Sequence, residues 1–274
     1  MKKILTSLFG LILSTTIFAQ GWPANYEGVM LQGFYWNSYD DSQWTKLESQ
    51  ATELGEFFKL VWIPQSGNCG GKSMGYDDKY WFSNYNSSFG TEAQLRSMIS
   101  TFKTNGIGTI ADVVINHRQN ATTWNDFPAE EYNGVTYQLT YNDICSDDEA
   151  AAAGYAVGTN ADTGDKWDGM RDLDHKSENV QNNVKAYLDM LLNDLGYAGF
   201  RYDMVKGYSA EYTKMYNESS GTQYSVGEYW DTNKSSVTGW IDATGKTSAA
   251  FDFPLQYTLR TICNSGATGN WYGR

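Results

Sequence analysis

Apolar and polar positions along the chain fall into two alternating rhythms. Val29–Tyr35 (VMLQGFY) reads as a strand. From Trp44 to Phe57 the spacing turns helical, with Leu47, Ala51, Leu54 and Phe58 near one face. Leu60–Ile63 is a second strand, stopped by Pro64, and Thr91 caps a predicted helix over Glu92–Phe102. Gly108–Ile115 (GTIADVVI) is nearly all apolar, the mark of a strand buried on both faces. After His117 both rhythms stop. Residues 118–174 are polar and rich in Asn, Asp, Thr, Gly and Tyr, too long a stretch for a connector, and predict a small inserted subdomain. Helical spacing resumes over Ser177–Leu195, with Val180, Val184, Tyr187, Leu188, Leu191 and Leu192 on one side. Tyr197–Tyr202, Tyr224–Gly227 and Ala249–Phe253 read as further strands, the last ended by Pro254, and Ser209–Ser219 as a short helix.

Strands alternating with helices predict an α/β fold. Six such units fit either an open doubly wound sheet or an incomplete (β/α)8 TIM barrel with an insertion after its third strand. No GxGxxG or GxxxxGK[ST] loop follows a strand, which weakens the nucleotide-binding alternative. Polar residues collect at the carboxyl ends of three strands: Asn116 and His117, then Arg201 and Asp203, then Glu228. In a barrel those ends form one rim, where active sites are built. The domain reading is a partial barrel over 20–117 and 175–274, with 118–174 inserted.

Composition narrows the partners. The 274 residues carry a formal net charge of −12, with a pI near 4.6. Such a chain repels phosphate backbones, so nucleic acid is excluded as a partner. Aromatic residues make up 15% of the chain, enough flat rings to line a sugar-binding cleft. Lys2 and Lys3, the apolar run Ile4–Phe18 and the Ala19–Gln20 junction read as a secretory signal peptide over 1–19. No later stretch is apolar for long enough to cross a bilayer, so an exported protein is expected. Cys69, Cys145 and Cys263 form no metal pattern; one bridge, such as Cys69–Cys145, and free thiols both stay open.

Two carboxylates stand out chemically. Asp203 follows one apolar strand and Glu228 ends the next. Neighbouring parallel strands lie about 4.8 Å apart, so these side chains can meet. A pair about 5–5.5 Å apart suits retaining glycoside hydrolysis, one acid attacking the anomeric carbon and the other protonating the leaving oxygen. A single exposed acid is ordinarily a solvated surface group; two at successive strand ends are harder to set aside. Arg201, two residues before Asp203, shares its strand face and would hold it ionised. The two histidines, His117 and His175, follow polar clusters at the insertion boundaries, which favours places near a cleft. Tyr76 and Trp230 are candidate stacking platforms. Asn116, Asp162 and Asp172 are hard oxygen donors of the type calcium takes. DTGDKWDGMRDLD is not an EF-hand, and an acidic solvated loop is the alternative.

Taken together these segments resemble the α-amylases of glycoside hydrolase family 13. DVVINH (112–117), GFRYDMVKGYS (199–209), GEYW (227–230) and MRDLDH (170–175) carry the resemblance, with QGFYW (32–36) and VWIPQS (61–66) in agreement. The pattern is most similar to plant-type and related bacterial members. The resemblance implies an endo-acting, retaining enzyme on α-1,4-linked starch-like glucans, with Asp203 as nucleophile and Glu228 as acid/base. It implies that Arg201 supports Asp203, that Tyr76 and His117 line the subsite of the cleaved sugar, and that Lys206 and Trp230 face the leaving group. It also implies a structural calcium held by Asn116, Asp162 and Asp172, with carbonyls of Asp165 and Gly207. Asp148 matches a position at a further calcium in plant-type relatives, whereas Lys166 stands where they carry another acid.

One departure bears on activity. The family's third acid sits in a segment like FVDNHD, and no NHD occurs here. Asp252, in FDFP, matches a non-catalytic pattern. The expectation is an amylase chain cut short, with about six of eight strands, inactive by itself. A transglycosylating or debranching relative and a non-catalytic glucan-binding protein are the alternatives.

Overall fold

A computed structural model describes residues 21–265 apart from Ala24, so the expected signal peptide over 1–19 lies outside the described residues. Six parallel strands form one sheet: β1 (Met30–Gln32), β2 (Leu60–Trp62), β3 (Gly108–Val113), β4 (Gly199–Tyr202), β5 (Ser225–Gly227) and β6 (Ala249–Ala250). Their order in the sheet is their order in the chain. A doubly wound sheet would reverse direction at a switch point. The unbroken order is that of a (β/α)8 barrel with six of its strands.

Helices follow the strands: α1 (Trp44–Ser49), α2 (Ala51–Phe57), α3 (Glu92–Thr104), α4 (Glu178–Met190), α5 (Ala210–Ser220), α6 (Lys234–Ala243) and α7 (Phe253–Ser265). None of the described helices is long and apolar enough to cross a membrane. Local sequence explains the well-formed ones. Thr91 and Gln94 close a reciprocal capping box on α3, whose Leu95, Met98, Ile99 and Phe102 face the core. Ser177 caps α4, which buries Val180, Val184, Tyr187 and Leu188 against the sheet.

Three elements differ from expectation. The helix foreseen over Trp44–Phe57 is two helices, broken at Gln50, whose N–H reaches Leu47 O in a tighter i→i−3 turn. The first strand is shorter than expected, because beyond Gln32 the chain turns outward and leaves Tyr35 and Trp36 exposed. The sixth strand is only Ala249–Ala250. Asp252 then takes the Leu255 N–H at 3.0 Å and starts α7, with Pro254 in its first turn. Proline, expected to end a strand, opens a helix, where its missing N–H costs nothing.

Residues 118–174 leave and rejoin the barrel through one short zip. His117–Arg118 pairs antiparallel with Arg171–Asp172, His117 opposite Asp172. Between these limbs lie a hairpin (Glu130–Tyr132 with Val135–Tyr137) and a short helix (Glu149–Ala152). Glu130 fastens this segment to the loop after β2. Its carboxylate accepts the N–H groups of Trp81, Phe82 and Ser83 at 2.8–3.0 Å and the Ser83 hydroxyl at 2.9 Å. It also pairs with Arg118, which is fully buried beneath Trp81. Breaking a buried pair leaves an uncompensated charge, so Glu130→Ala is expected to cost about 3–5 kcal/mol of stability, measured by urea unfolding.

Candidate active site

Register assembles the site before side-chain chemistry acts. Asp112 on β3 pairs with Arg201 on β4, so the two side chains lie side by side on one face. Arg201 in turn pairs with Val226 on β5. Two residues further along each strand stand Asp203 and Glu228, beyond the last paired residues. The Asp203 N–H reaches Val113 O and the Glu228 N–H reaches Tyr202 O, both at 2.9 Å, which fixes both backbones.

Four charged groups converge there. Arg201 Nη1 lies 2.6 Å from Asp112 Oδ1 and 2.6 Å from Asp203 Oδ1, and its Nη2 lies 2.8 Å from Glu228 Oε2. The Trp62 ring covers the guanidinium at 4.7 Å. Asp112 accepts two further bonds, from Trp62 Nε1 at 3.1 Å and Tyr76 Oη at 3.0 Å. Glu228 Oε2 also takes the Met204 N–H at 3.1 Å. Burial opposes the Arg201 charge, yet Asp112, Asp203 and Glu228 outweigh it and raise its pKa.

One guanidinium facing three carboxyls leaves an excess of negative charge in a water-poor site. Burial pushes all three carboxyls upward, with Arg201 opposing the rise. Asp112 is steadied further by its two neutral donors, Trp62 and Tyr76. Two carboxyls held by one guanidinium at one strand rim are the groups that a displacement with acid assistance requires.

The other sequence-predicted residues are placed unevenly. Tyr76 reaches the cluster through its hydroxyl. Lys206 Nζ lies 3.5 Å from Asp231 Oδ2 and 3.7 Å from Asp165 Oδ2, with the Tyr229 ring below it. Trp230 is exposed, its Nε1 donating to Tyr257 Oη at 3.0 Å. His117 is only 2% exposed. Its Nδ1 faces Asn116 Nδ2 at 3.3 Å, so the proton sits on Nε2, which donates to Tyr76 O at 3.0 Å. His175 is buried away from any cleft. Its Nε2 donates to Ile115 O at 3.0 Å and its Nδ1 accepts from Tyr216 Oη at 2.7 Å, tying β3 to α5, and burial pushes its pKa down to about 3. Asp112 and Trp62 were missed as site residues. The signal was available: Asp112 is the one charge inside an otherwise apolar strand, and a buried carboxylate requires a cation.

A second group of oxygens gathers where the insertion meets the barrel. Among the described residues no three His, Cys, Asp or Glu side chains come together as a metal group. The acids at this seam are supplemented by an amide and by backbone. Asn116 Oδ1 and Asp162 Oδ2 are buried with no hydrogen-bond partner. Gly207 packs so tightly on Asn116 that a Cβ would overlap Oδ1, and Gly164 is pressed on Gly207 in the same way. The Asp165 N–H donates to Lys206 O at 2.8 Å, which holds the 162–165 loop in this place. Burial raises the Asp172 pKa to about 8, with Asp162, Asp148 and Glu149 adding to it. Orphaned oxygens and crowded negative charge fit a hard divalent cation. Asp148 is differently engaged: its oxygens take the Ala150 N–H at 2.7 Å and the Asp172 N–H at 2.8 Å, with Arg171 at 3.5 Å. Lys166 Nζ lies 3.2 Å from Asp147.

A family model described as alpha amylase, catalytic domain, matches residues 71–152. Probable alpha-amylase 2 of Arabidopsis thaliana is 30% identical over 260 residues, which is 89% of this chain and 60% of that protein. Alpha-amylase 3, chloroplastic, from the same plant is 29% identical over 252 residues, 85% of this chain and 27% of that protein. The structure of an alpha-amylase from Malbranchea cinnamomea superposes with a TM-score of 0.60 at 19% identity, over 84% of this chain and 51% of that one. This chain thus spans 60% or less of the length of those relatives.

The cluster makes Asp112 a structural cornerstone as well as a site residue. Asp112→Ala takes from Arg201 Nη1 one of its two acceptors and leaves two buried donors, Trp62 Nε1 and Tyr76 Oη, without one. A loss of about 3–5 kcal/mol is expected, measured by urea unfolding.

Proposed function

We propose, from the premise that this chain belongs to the alpha-amylase family of glycoside hydrolases (family 13), that it contributes the nucleophile and the acid/base to an endo-acting enzyme on α-1,4-linked, starch-like glucans. The observation that carries the reading is geometric: Asp203 and Glu228 stand at the ends of neighbouring strands, both held by Arg201 at 2.6 and 2.8 Å.

In this mechanism Asp203 attacks the anomeric carbon while Glu228 gives its proton to the departing glycosidic oxygen. Loss of that proton leaves Glu228 able to take one from water. The water then attacks from the face the leaving group vacated, opposite Asp203, breaking the Asp203–sugar bond, and the two inversions retain configuration. Arg201 lowers the nucleophile's basicity and aims it. Asp112 fixes Arg201 from the far side and, through Tyr76, fixes the ring that borders the reacting sugar. Lys206 and Trp230 lie on the loop side that would meet the leaving glucan.

Calcium is proposed as the cation of the seam. Asn116 from the barrel, Gly207 from the loop after β4, and Asp162, Asp165 and Asp172 from the insertion would hold it. When bound, it would supply the positive charge that these buried oxygens lack and fasten residues 118–174 to the barrel. The engaged Asp148 and the Lys166 amine favour one ion here over several. The run Ile4–Phe18 behind Lys2 and Lys3 supports export as the route to the substrate.

The family's third acid is not among these residues, so the chain alone is expected to release no reducing sugar from starch. The full product of the gene is expected to release it, and Asp203→Asn in that product to abolish it. Undiminished release by the variant would sink the nucleophile assignment. Removing calcium with a strong chelator is expected to lower the melting temperature, and adding one equivalent back to restore it. A melting temperature indifferent to chelator would count against the cation.

A further inference from the structure

Trp167 lies in the returning limb of the insertion and is fixed at both ends. Its backbone N–H donates to Asp172 Oδ2 at 3.0 Å. Its indole lies nearly parallel to the His117 imidazole, with ring centroids 5.6 Å apart and planes 19° apart. Asp172 and His117 face each other across the antiparallel zip, so backbone and ring are anchored to the same pair of residues. The imidazole has little left to offer. Asn116 takes Nδ1, the Tyr76 carbonyl takes Nε2, and the indole covers a face. The outcome is a histidine 2% exposed beneath a tryptophan 42% exposed.

A glucan approaching this wall of the cleft therefore meets indole before imidazole. A flat ring with little freedom to turn is suited to the C–H face of a pyranose, because it stacks without losing further side-chain entropy. We infer that Trp167 is the sugar-contacting residue on the insertion side of the cleft, with His117 supporting it from beneath. The inference rests on the glucan-cleaving reading above. It adds a consequence: the seam oxygens set the position of the indole through Asp172, so the insertion shapes the cleft directly.

The test uses the full gene product carrying Asp203→Asn, so that the glucan stays intact, titrated with maltoheptaose in a calorimeter. Trp167→Ala and Trp167→Leu are each expected to weaken binding by about tenfold or more. Trp167→Phe is expected to retain most of it. Trp167→Leu keeps apolar bulk over His117, so it separates loss of the ring from collapse of the wall. With 5-fluorotryptophan incorporated, the fluorine signal that disappears in Trp167→Phe is expected to shift when maltoheptaose is added, a change that a purely structural tryptophan would not give. Parent-like affinity in Trp167→Leu, or an unmoved fluorine signal while the parent binds, overturns the inference. A parent that binds no maltoheptaose overturns the glucan reading itself, and the inference with it.

Discussion

One buried guanidinium organises the carboxyl ends of the strands. Arg201 sits against three carboxyls drawn from three neighbouring strands. A cation buried in this way is tolerable only while it is neutralised, and carboxylates crowded together are tolerable only around a cation. The strands must therefore keep the register that brings Asp112 beside Arg201 and carries Asp203 and Glu228 past it. The same excess of negative charge, together with burial, raises all three carboxyls, while Arg201 opposes the rise at each.

The insertion obeys a similar constraint on a larger scale. It is fastened at three places: by the Glu130 carboxylate to the loop after β2, by the His117–Asp172 zip, and by the oxygens of Asn116, Asp162 and Asp172 near Gly207. The first two satisfy their own polar groups. The third does not, since two of its oxygens are buried and unpaired. An unmet demand of that kind is what the proposed calcium would answer. Trp167 and His117 are tied to the same seam through Asp172.

Much of this was legible in the chain. Six strands and most helix starts followed from hydrophobic period and capping residues, which act over a few neighbours. Asp203, Glu228 and Arg201 were visible because acids and a base at strand ends are chemically out of place. Gln50 and Asp252 were not foreseen, because a tight turn and a helix start there depend on what the following backbone does. His117 and His175 were both expected near a cleft. One lies under an indole and the other between β3 and α5, and nothing in their sequence neighbourhoods distinguishes these fates.

By itself the sequence determined the element types, the parallel α/β class and the residues able to do acid, base and nucleophile chemistry, because each depends on local spacing or on the identity of one side chain. Only the tertiary structure decided that Asp112 completes the cluster, that Glu228 shares Arg201 with Asp203, and that Trp167 stands in front of His117. Each of these depends on distances between residues far apart in the chain. Electrostatics and stacking respond to those distances, and sequence spacing does not contain them.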